Sequence, residues 1–160
     1  MEKNLSIRNV LREPLKLDLQ FFAGESRGID FLIYVNTGTT ETPTWTKIAG
    51  QRGGTFNMSS DEIDLTSKDN YGFMDRDYGV QDWSIEGDGV FIDGDASHDA
   101  IIDAFLGRQI LRARWTFPSG KSYEGDVIIS EFPIEAPYDD VATYSISLLG
   151  KGTFTEVTGA

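Results

Sequence analysis

Hydrophobic and polar residues alternate along the stretch 110–136, which predicts two strands joined by a tight turn. Apolar side chains fall on every second position from Leu111 to Phe117, with arginine or threonine between them. This period of two is typical of a strand with one buried face. The loop 118–120 fits a three-residue hairpin turn in which Gly120 takes a positive φ. The expected register pairs Leu111 with Val127, Arg112 with Asp126, Arg114 with Glu124, and Trp115 with Tyr123.

The same alternation recurs in several other segments and predicts an antiparallel β protein. Strands are expected at residues 29–36, 45–49, 55–58, 80–93, 142–148 and 153–157. Glycines at positions 50, 53 and 54 are expected to interrupt the pairing between the second and third of these strands. The expected fold class is therefore mainly β, an antiparallel β-sandwich or barrel with one flanking α-helix and a long extended loop.

The segment 95–108 has the periodicity of a helix. Asp95 or Ser97 can cap its first turn, and Gly107 suits its C-terminal end. His98 is interpreted as an exposed residue of the first turn. The residues expected on the buried face, because they recur at i, i+1, i+4 and i+5, are Ile101, Ile102, Phe105 and Leu106.

Residues 59–79 are polar and acidic, and we interpret them as a long loop in which Ile63 and Leu65 fit a short strand. Loops longer than about 12–15 residues are uncommon in compact domains and tend to be functional. Aromatic residues and methionine are enriched at protein–protein contacts. The alternative is that these side chains pack back onto their own domain. The candidate subunit contacts are Tyr71, Phe73, Met74 and Tyr78.

The chain is acidic, with a formal net charge of −12 at pH 7. Residues 61–103 hold thirteen acidic side chains against two basic ones. A protein that grips nucleic acid by its phosphates needs the opposite sign, so DNA binding is disfavoured. Asp82, Glu86 and Asp88 share one face of the strand at 80–93, where they must meet water or a charged partner.

The composition excludes some chemistry. The chain has no cysteine, which excludes disulfides and thiolate metal sites. No Gly-rich phosphate loop, nucleophile motif or paired set of metal ligands is present, so neither an enzyme activity nor a cofactor is predicted. No apolar run approaches the roughly 20 residues of a membrane helix. A soluble protein made in the cytoplasm is expected.

Five segments, read in order, carry a resemblance to a known family. They are IDFLIYVNTG, WTKIAGQRGG, WSIEGDGVF, LRARWTFPSGKSYEGDVIISEFPIEAP and YSISLLGKGTF. Together with the single helix, they resemble the major tail tube proteins of long-tailed (siphophage-type) bacteriophages over about residues 28–157. Residues 28–160 are therefore expected to form a tail-tube β-sandwich domain. Residues 1–27 lie largely outside the resemblance and are expected to form a separate N-terminal arm that could be flexible.

The segment LKLDLQFFAG resembles the opening residues of several phage structural proteins. The biological start is therefore expected near Leu15, with residues 1–14 as an upstream extension.

The resemblance implies a structural virion protein of the phage tail, made in the host bacterial cytoplasm. In such tails, hexameric rings stack into a hollow tube that conducts the genome during ejection. The implied partners are further copies of the chain and other tail proteins, such as the tape measure, terminator and distal tail proteins. DNA would pass through without specific binding, and no membrane would be involved.

Within a tube, the acidic strand face would lie either in the channel or against the next ring. Acidic groups near the phosphates of DNA oppose its binding, which favours the channel. The candidate lumen-facing residues are Asp82, Glu86, Asp88, Glu124 and Asp126. The rival interpretation pairs such acids with Arg52, Lys68 and Arg76 of the next ring.

Two other functions remain open from the sequence. One is a tail-completion or head–tail joining protein of the same particle, which would form a single ring. The other is an acidic β-sandwich enzyme or carbohydrate-binding module, which would stay monomeric. The state of assembly of the purified protein distinguishes the three.

Overall fold

The computed structural model of the protein describes residues 26–158. Within that range the chain forms eight strands, one α-helix and two short 3-10 turns. The strands are β1 (Leu32–Asn36), β2 (Trp45–Lys47), β3 (Gln51–Asp64), β4 (Arg76–Val90), β5 (Leu111–Thr116), β6 (Lys121–Glu131), β7 (Ile134–Glu135) and β8 (Thr143–Thr158). The helix α1 spans Ala96–Leu106, and the 3-10 turns span Gly28–Asp30 and Lys68–Asn70. The expected N-terminal arm lies almost wholly outside the described residues and stays a prediction.

All eight strands belong to one antiparallel sheet in the order β2-β1-β5-β6-β8-β4-β3, with β7 added to β8. The sheet curls so that the two ends of this order approach each other across the core. A Cβ placed on Gly87 of β4 would lie 2.8 Å from the Cδ1 of Ile33 on β1. The predicted mainly-β class with one flanking helix is confirmed, and the layers of the sandwich come from one curled sheet.

Aromatic side chains fill the space inside the curl. Phe56 of β3 stacks on Trp115 and Tyr123, with ring centroids 6.1 and 5.7 Å away. Trp83 is buried and donates its indole N–H to the carbonyl of Gly152 at 2.8 Å. Its ring lies so close to β8 that a Cβ on Gly150 would be 2.2 Å from it. Only glycine at position 150 therefore leaves room for the indole of Trp83.

The predicted hairpin of β5 and β6 is confirmed in its register and its turn. Trp115 lies opposite Tyr123, and Arg114 lies opposite Glu124. The amide of Phe117 donates to the carbonyl of Lys121 at 2.8 Å, which closes the turn, and Gly120 has a φ of +81°. Turn chemistry and alternation act together here, because each specifies the same pairing.

The helix and its cap are confirmed, but the predicted buried face is wrong in part. Asp95 accepts a hydrogen bond from the amide of Ser97 at 2.9 Å, as a cap should. Ile101 is fully buried, whereas Phe105 is 50% and Leu106 is 74% exposed. The inward face follows Ser97, Ile101 and Ala104, so the last turn directs its large side chains toward the surface.

His98 is fully buried, so the prediction of an exposed residue is wrong. Its ring stacks on Phe91 at 4.9 Å and meets the edge of Tyr144 at 4.8 Å. Nδ1 lies 3.1 Å from the carbonyl oxygen of Ile92, where the chain turns toward the helix. The first helical turn packs on Phe91 and Tyr144, and the His98 ring lies among these aromatic rings. The same ring also binds the backbone of the turn at Ile92.

Candidate assembly surfaces

Residues 59–79 are the distal part of a projecting β-hairpin: residues 59–64 and 76–79 lie in its strands, and residues 65–75 form its tip. The expected excursion is present, but about half of it is paired strand and not loop. β3 pairs with β4 without a break at Gly54, and the last pair is Asp64 with Arg76. β8 pairs with β4 only from Ser84 to Val90. Residues 76–83 therefore extend about 26 Å past this sheet partner, at about 3.3 Å per residue. Beyond Trp83, the side chains of β4 are largely exposed, so the hydrophobic pattern of this part of the hairpin is weak.

Local hydrogen bonds order the tip of this hairpin. The amide of Leu65 donates to the carbonyl of Asp75 at 2.9 Å, and the amide of Asp75 donates to the Thr66 hydroxyl at 3.0 Å. Tyr71 and Gly72 both adopt positive φ, at +51° and +85°, and reverse the chain. The tip thus has a defined shape without packing onto the domain.

The four residues predicted to contact a neighbouring subunit all lie exposed on this hairpin. Tyr71, for example, is 94% exposed. They do not pack back onto their own domain, which was the alternative interpretation. Further apolar residues of the hairpin are exposed as well, namely Met58, Ile63, Leu65 and Val80. Strands are predicted around them, but alternation alone does not tell whether the apolar face of a strand is covered within the domain.

The acidic face of β4 is exposed as predicted. Trp83 and Ile85 point into the core, whereas Asp82, Glu86 and Asp88 lie on the solvent side. Their cross-strand neighbours are small, mostly hydroxylated residues: Ser59, Thr55 and Gly53 on β3, and Ser147 and Ser145 on β8. The three carboxylates thus share a flat face whose ladder positions carry no basic side chain.

Glu124 has a different environment from these three acids. It is 7% exposed and forms ion pairs with Arg114 and with Arg112, the latter at 3.7 Å. The guanidinium of Arg114 also lies 4.1 Å from the centre of the Trp45 ring. Asp126 is exposed and lies opposite Arg112 in the ladder. The arginines neutralise Glu124 inside the protomer, so we leave it out of the group of channel candidates.

Other kinds of site find little support in the part of the chain that the structure describes. Among residues 26–158, no three histidine or acidic side chains come together as metal ligands. No described helix has the length and apolar character needed to span a bilayer.

The protein is a mainly-β protein built from one curled antiparallel sheet with one flanking helix and one projecting hairpin. The family model described as phage tail tube protein matches residues 25–156. The chain therefore belongs to the phage tail tube protein family and is a structural component of the tail tube. Among curated protein sequences, no match is found.

Solved structures agree with this assignment at the level of the fold. The tail of an empty gene transfer agent particle, refined with C6 symmetry, matches at a TM-score of 0.75 and 23% identity. That match covers 84% of this chain and 100% of the other. The SPP1 tail tube matches at a TM-score of 0.68 and 18% identity, covering 85% of this chain and 80% of the other. The structure of the sheath/tube terminator of an extracellular contractile injection system, PVC, matches at a TM-score of 0.56 and 11% identity. This match covers 84% of this chain and 97% of the other.

Proposed function

We propose that this chain forms hexameric rings, and that these rings stack into the tube that conducts the genome out of the particle. The observation that carries the proposal is the hairpin that projects from the sheet with its apolar side chains exposed. Membership of the tail tube family supports it, as does the C6 symmetry stated for the gene transfer agent tail.

The hairpin is the proposed subunit contact. An isolated two-stranded ribbon is marginally stable in water, and soluble monomers rarely display contiguous apolar patches. Contact with a neighbouring copy would bury Tyr71, Phe73, Met74 and Tyr78. It would also pack a second surface against the two-stranded ribbon and so stabilise it.

The channel is the proposed location of Asp82, Glu86 and Asp88, with Asp126 as a further member of the group. DNA inside a narrow tube would pass within the Debye length, about 8 Å at physiological salt. Carboxylates at that distance raise the energy of every bound state, so the genome slides without adhering. In the rival arrangement these acids pair with the next ring. Arg76 already bonds Glu62 of its own hairpin at 3.2 Å, which disfavours it as a partner there.

The expected partners at the ends of the tube are the tape measure, terminator and distal tail proteins. A single-ring role at the end of the tube is the second candidate function. The likeness to a sheath/tube terminator favours it, although at a lower TM-score than the likeness to the gene transfer agent tail and the SPP1 tail tube.

Negative-stain microscopy of the purified chain tests the proposed function. Long tubes are the expected result. Isolated rings would favour the terminator or joining role, and a protein that stays monomeric at all concentrations would contradict both.

A charge-reversal variant, D82K/E86K/D88K, tests the channel assignment. Tubes that assemble but retard genome exit in reconstituted particles are the expected result. Loss of assembly would place these acids at an interface instead. The matched control is E41K/D139K/D140K, which reverses three exposed acids that lie in loops outside β4 and should leave both assembly and exit unchanged.

A further inference from the structure

A concave apolar surface lies where the end of α1 meets β6. We refer to it as the helix cleft. Its lining residues are Ala104, Phe105, Leu106, Arg108, Gln109, Ile128 and Ile129. Phe105, Leu106 and Ile128 are each about half exposed or more, so the protomer leaves this surface uncovered. Arg108 is the charged residue among those that line it.

The backbone at the edge of the helix cleft is unusual. Helices commonly end with glycine in the left-handed conformation. Here Gly107 keeps a right-handed φ of −78°, and Arg108 takes the left-handed position with a φ of +51°. The hydrogen bonds of the helix end explain this turn: the amide of Arg108 donates to the carbonyl of Phe105 at 3.2 Å, and the amide of Gln109 donates to the carbonyl of Ala104 at 2.8 Å. An arginine thus stands where glycine would cost less backbone strain, and this turn places it at the edge of the helix cleft.

The hairpin tip of the same protomer lies far from the helix cleft. Ile128 of β6 pairs with Leu149 of β8, which pairs in turn with Ser84 of β4. The tip begins at Arg76, about 26 Å further along β4 at about 3.3 Å per residue. A hairpin tip that occupies the helix cleft must therefore belong to a second copy.

The hairpin tip and the helix cleft complement each other in shape and charge. The tip projects from the domain and presents Tyr71, Phe73 and Met74. Its three exposed acids, Asp69, Asp75 and Asp77, outnumber its two exposed basic residues, Lys68 and Arg76. The cleft is concave and apolar, with an arginine at its edge. We propose that the helix cleft receives the hairpin tip of a second copy of this chain, with Arg108 facing the acids of the tip.

This contact is heterologous, because two different surfaces of the chain meet. Repetition of such a contact generates either a closed ring or an open-ended filament. The inference rests on the proposed function, since it names the surface that the projecting hairpin would occupy in an assembled tube.

The absence of cysteine from the chain makes cross-linking a direct test. Phe73→Cys and Leu106→Cys variants are mixed, assembled and oxidised. Disulfide-linked dimers should form in the mixture and be nearly absent when either variant is oxidised alone. The control mixture pairs Phe73→Cys with Tyr138→Cys, another exposed position, and should give few dimers. Equal yields in the two mixtures would overturn the inference.

Arg108 supplies a second measurement that is independent of cysteine chemistry. Arg108→Glu should raise the protein concentration needed for assembly about tenfold, equivalent to about 1.4 kcal/mol. Arg108→Gly removes the charge and also relieves the backbone strain, so it should weaken assembly while raising the melting temperature. An assembly threshold that neither variant changes would contradict the role of Arg108.

The two proposals fail in different ways. Wild-type tubes without the Phe73→Cys to Leu106→Cys cross-link would reject the helix cleft and leave the tube function intact. A wild-type protein that forms no tube or ring would reject the proposed function itself.

Discussion

The two long hairpins of this chain are built alike and stabilised differently. Each reverses at a glycine with positive φ, Gly120 in β5–β6 and Gly72 in β3–β4. The first hairpin lies between β1 and β8, and its residues alternate between buried and partly exposed. The distal part of the second pairs only with itself among the described strands and is exposed on both faces. The protomer thus completes one hairpin and leaves the other for a neighbour to complete.

The largest difference between the two regions is expected from truncating one aromatic in each. In β5–β6, Trp115→Ala removes a buried indole and should lower the free energy of unfolding by about 3–5 kcal/mol. Tyr71→Ala removes an exposed ring and should change it by less than about 0.5 kcal/mol. Urea denaturation of the unassembled protein measures both. A large loss in Tyr71→Ala would mean that the tip packs on its own domain.

The helix offers the next comparison, because its two ends face different surroundings. Ile101→Ala should cost about 2–5 kcal/mol, since the side chain is fully buried. Phe105→Ala should cost about 1 kcal/mol, since only half of the ring leaves water on folding. Urea denaturation of both variants measures the loss in the free energy of unfolding that each substitution causes. Equal losses would show that Phe105 is part of the protomer core.

The turn glycines sharpen the comparison of the hairpins directly. Gly120→Val and Gly72→Val each force a branched residue into a left-handed conformation, at roughly 1–2 kcal/mol. The cost at Gly120 should appear in global unfolding, because that hairpin is part of the core. The cost at Gly72 should appear as faster hydrogen exchange limited to the tip. A global loss in Gly72→Val would show that the projecting hairpin unfolds together with the domain.

A smaller effect is expected at the helix cap. The hydrogen bond from the Ser97 side chain is the main factor that lowers the pKa of Asp95. The stability it contributes is therefore fully present above the ordinary aspartate pKa of about 3.9 and is lost as pH falls through the lowered value. Asp95→Ala should cost about 1 kcal/mol at pH 7 and less at pH 2. Thermal melts at both pH values measure this, and an equal cost at the two would contradict the role of the charged cap.

Some of this architecture is predictable because local and cross-strand signals agree. In β5–β6 the loop length, the glycine and the alternation all specify one register, and Arg114 meets Glu124 as expected. The helix was equally clear, because its cap at Asp95 and its apolar spacing coincide. The family resemblance follows from the order of these elements, and the family model confirms it.

The rest depended on tertiary context that a single sequence does not reveal. Gly53 and Gly54 resemble a break, yet they lie inside β3, where a larger residue at 54 would meet Trp115. His98 is buried because an aromatic layer passes beneath the first helical turn. Glu124 is neutralised by Arg112 as well as by its ladder partner, Arg114. The four candidate contact residues are exposed together at the end of a hairpin, and their role as subunit contacts stays a prediction.

The central claim is that the exposed tip of β3–β4 serves assembly and not folding. A triple variant, Y71S/F73S/M74S, tests it against the control I134S/Y138S/V141S, which alters three exposed apolar residues elsewhere. Sedimentation measures the assembled fraction and thermal melting measures the fold. The account predicts that both variants melt like the wild type, and that only the tip variant stays unassembled. A tip variant that sediments as tubes would contradict it.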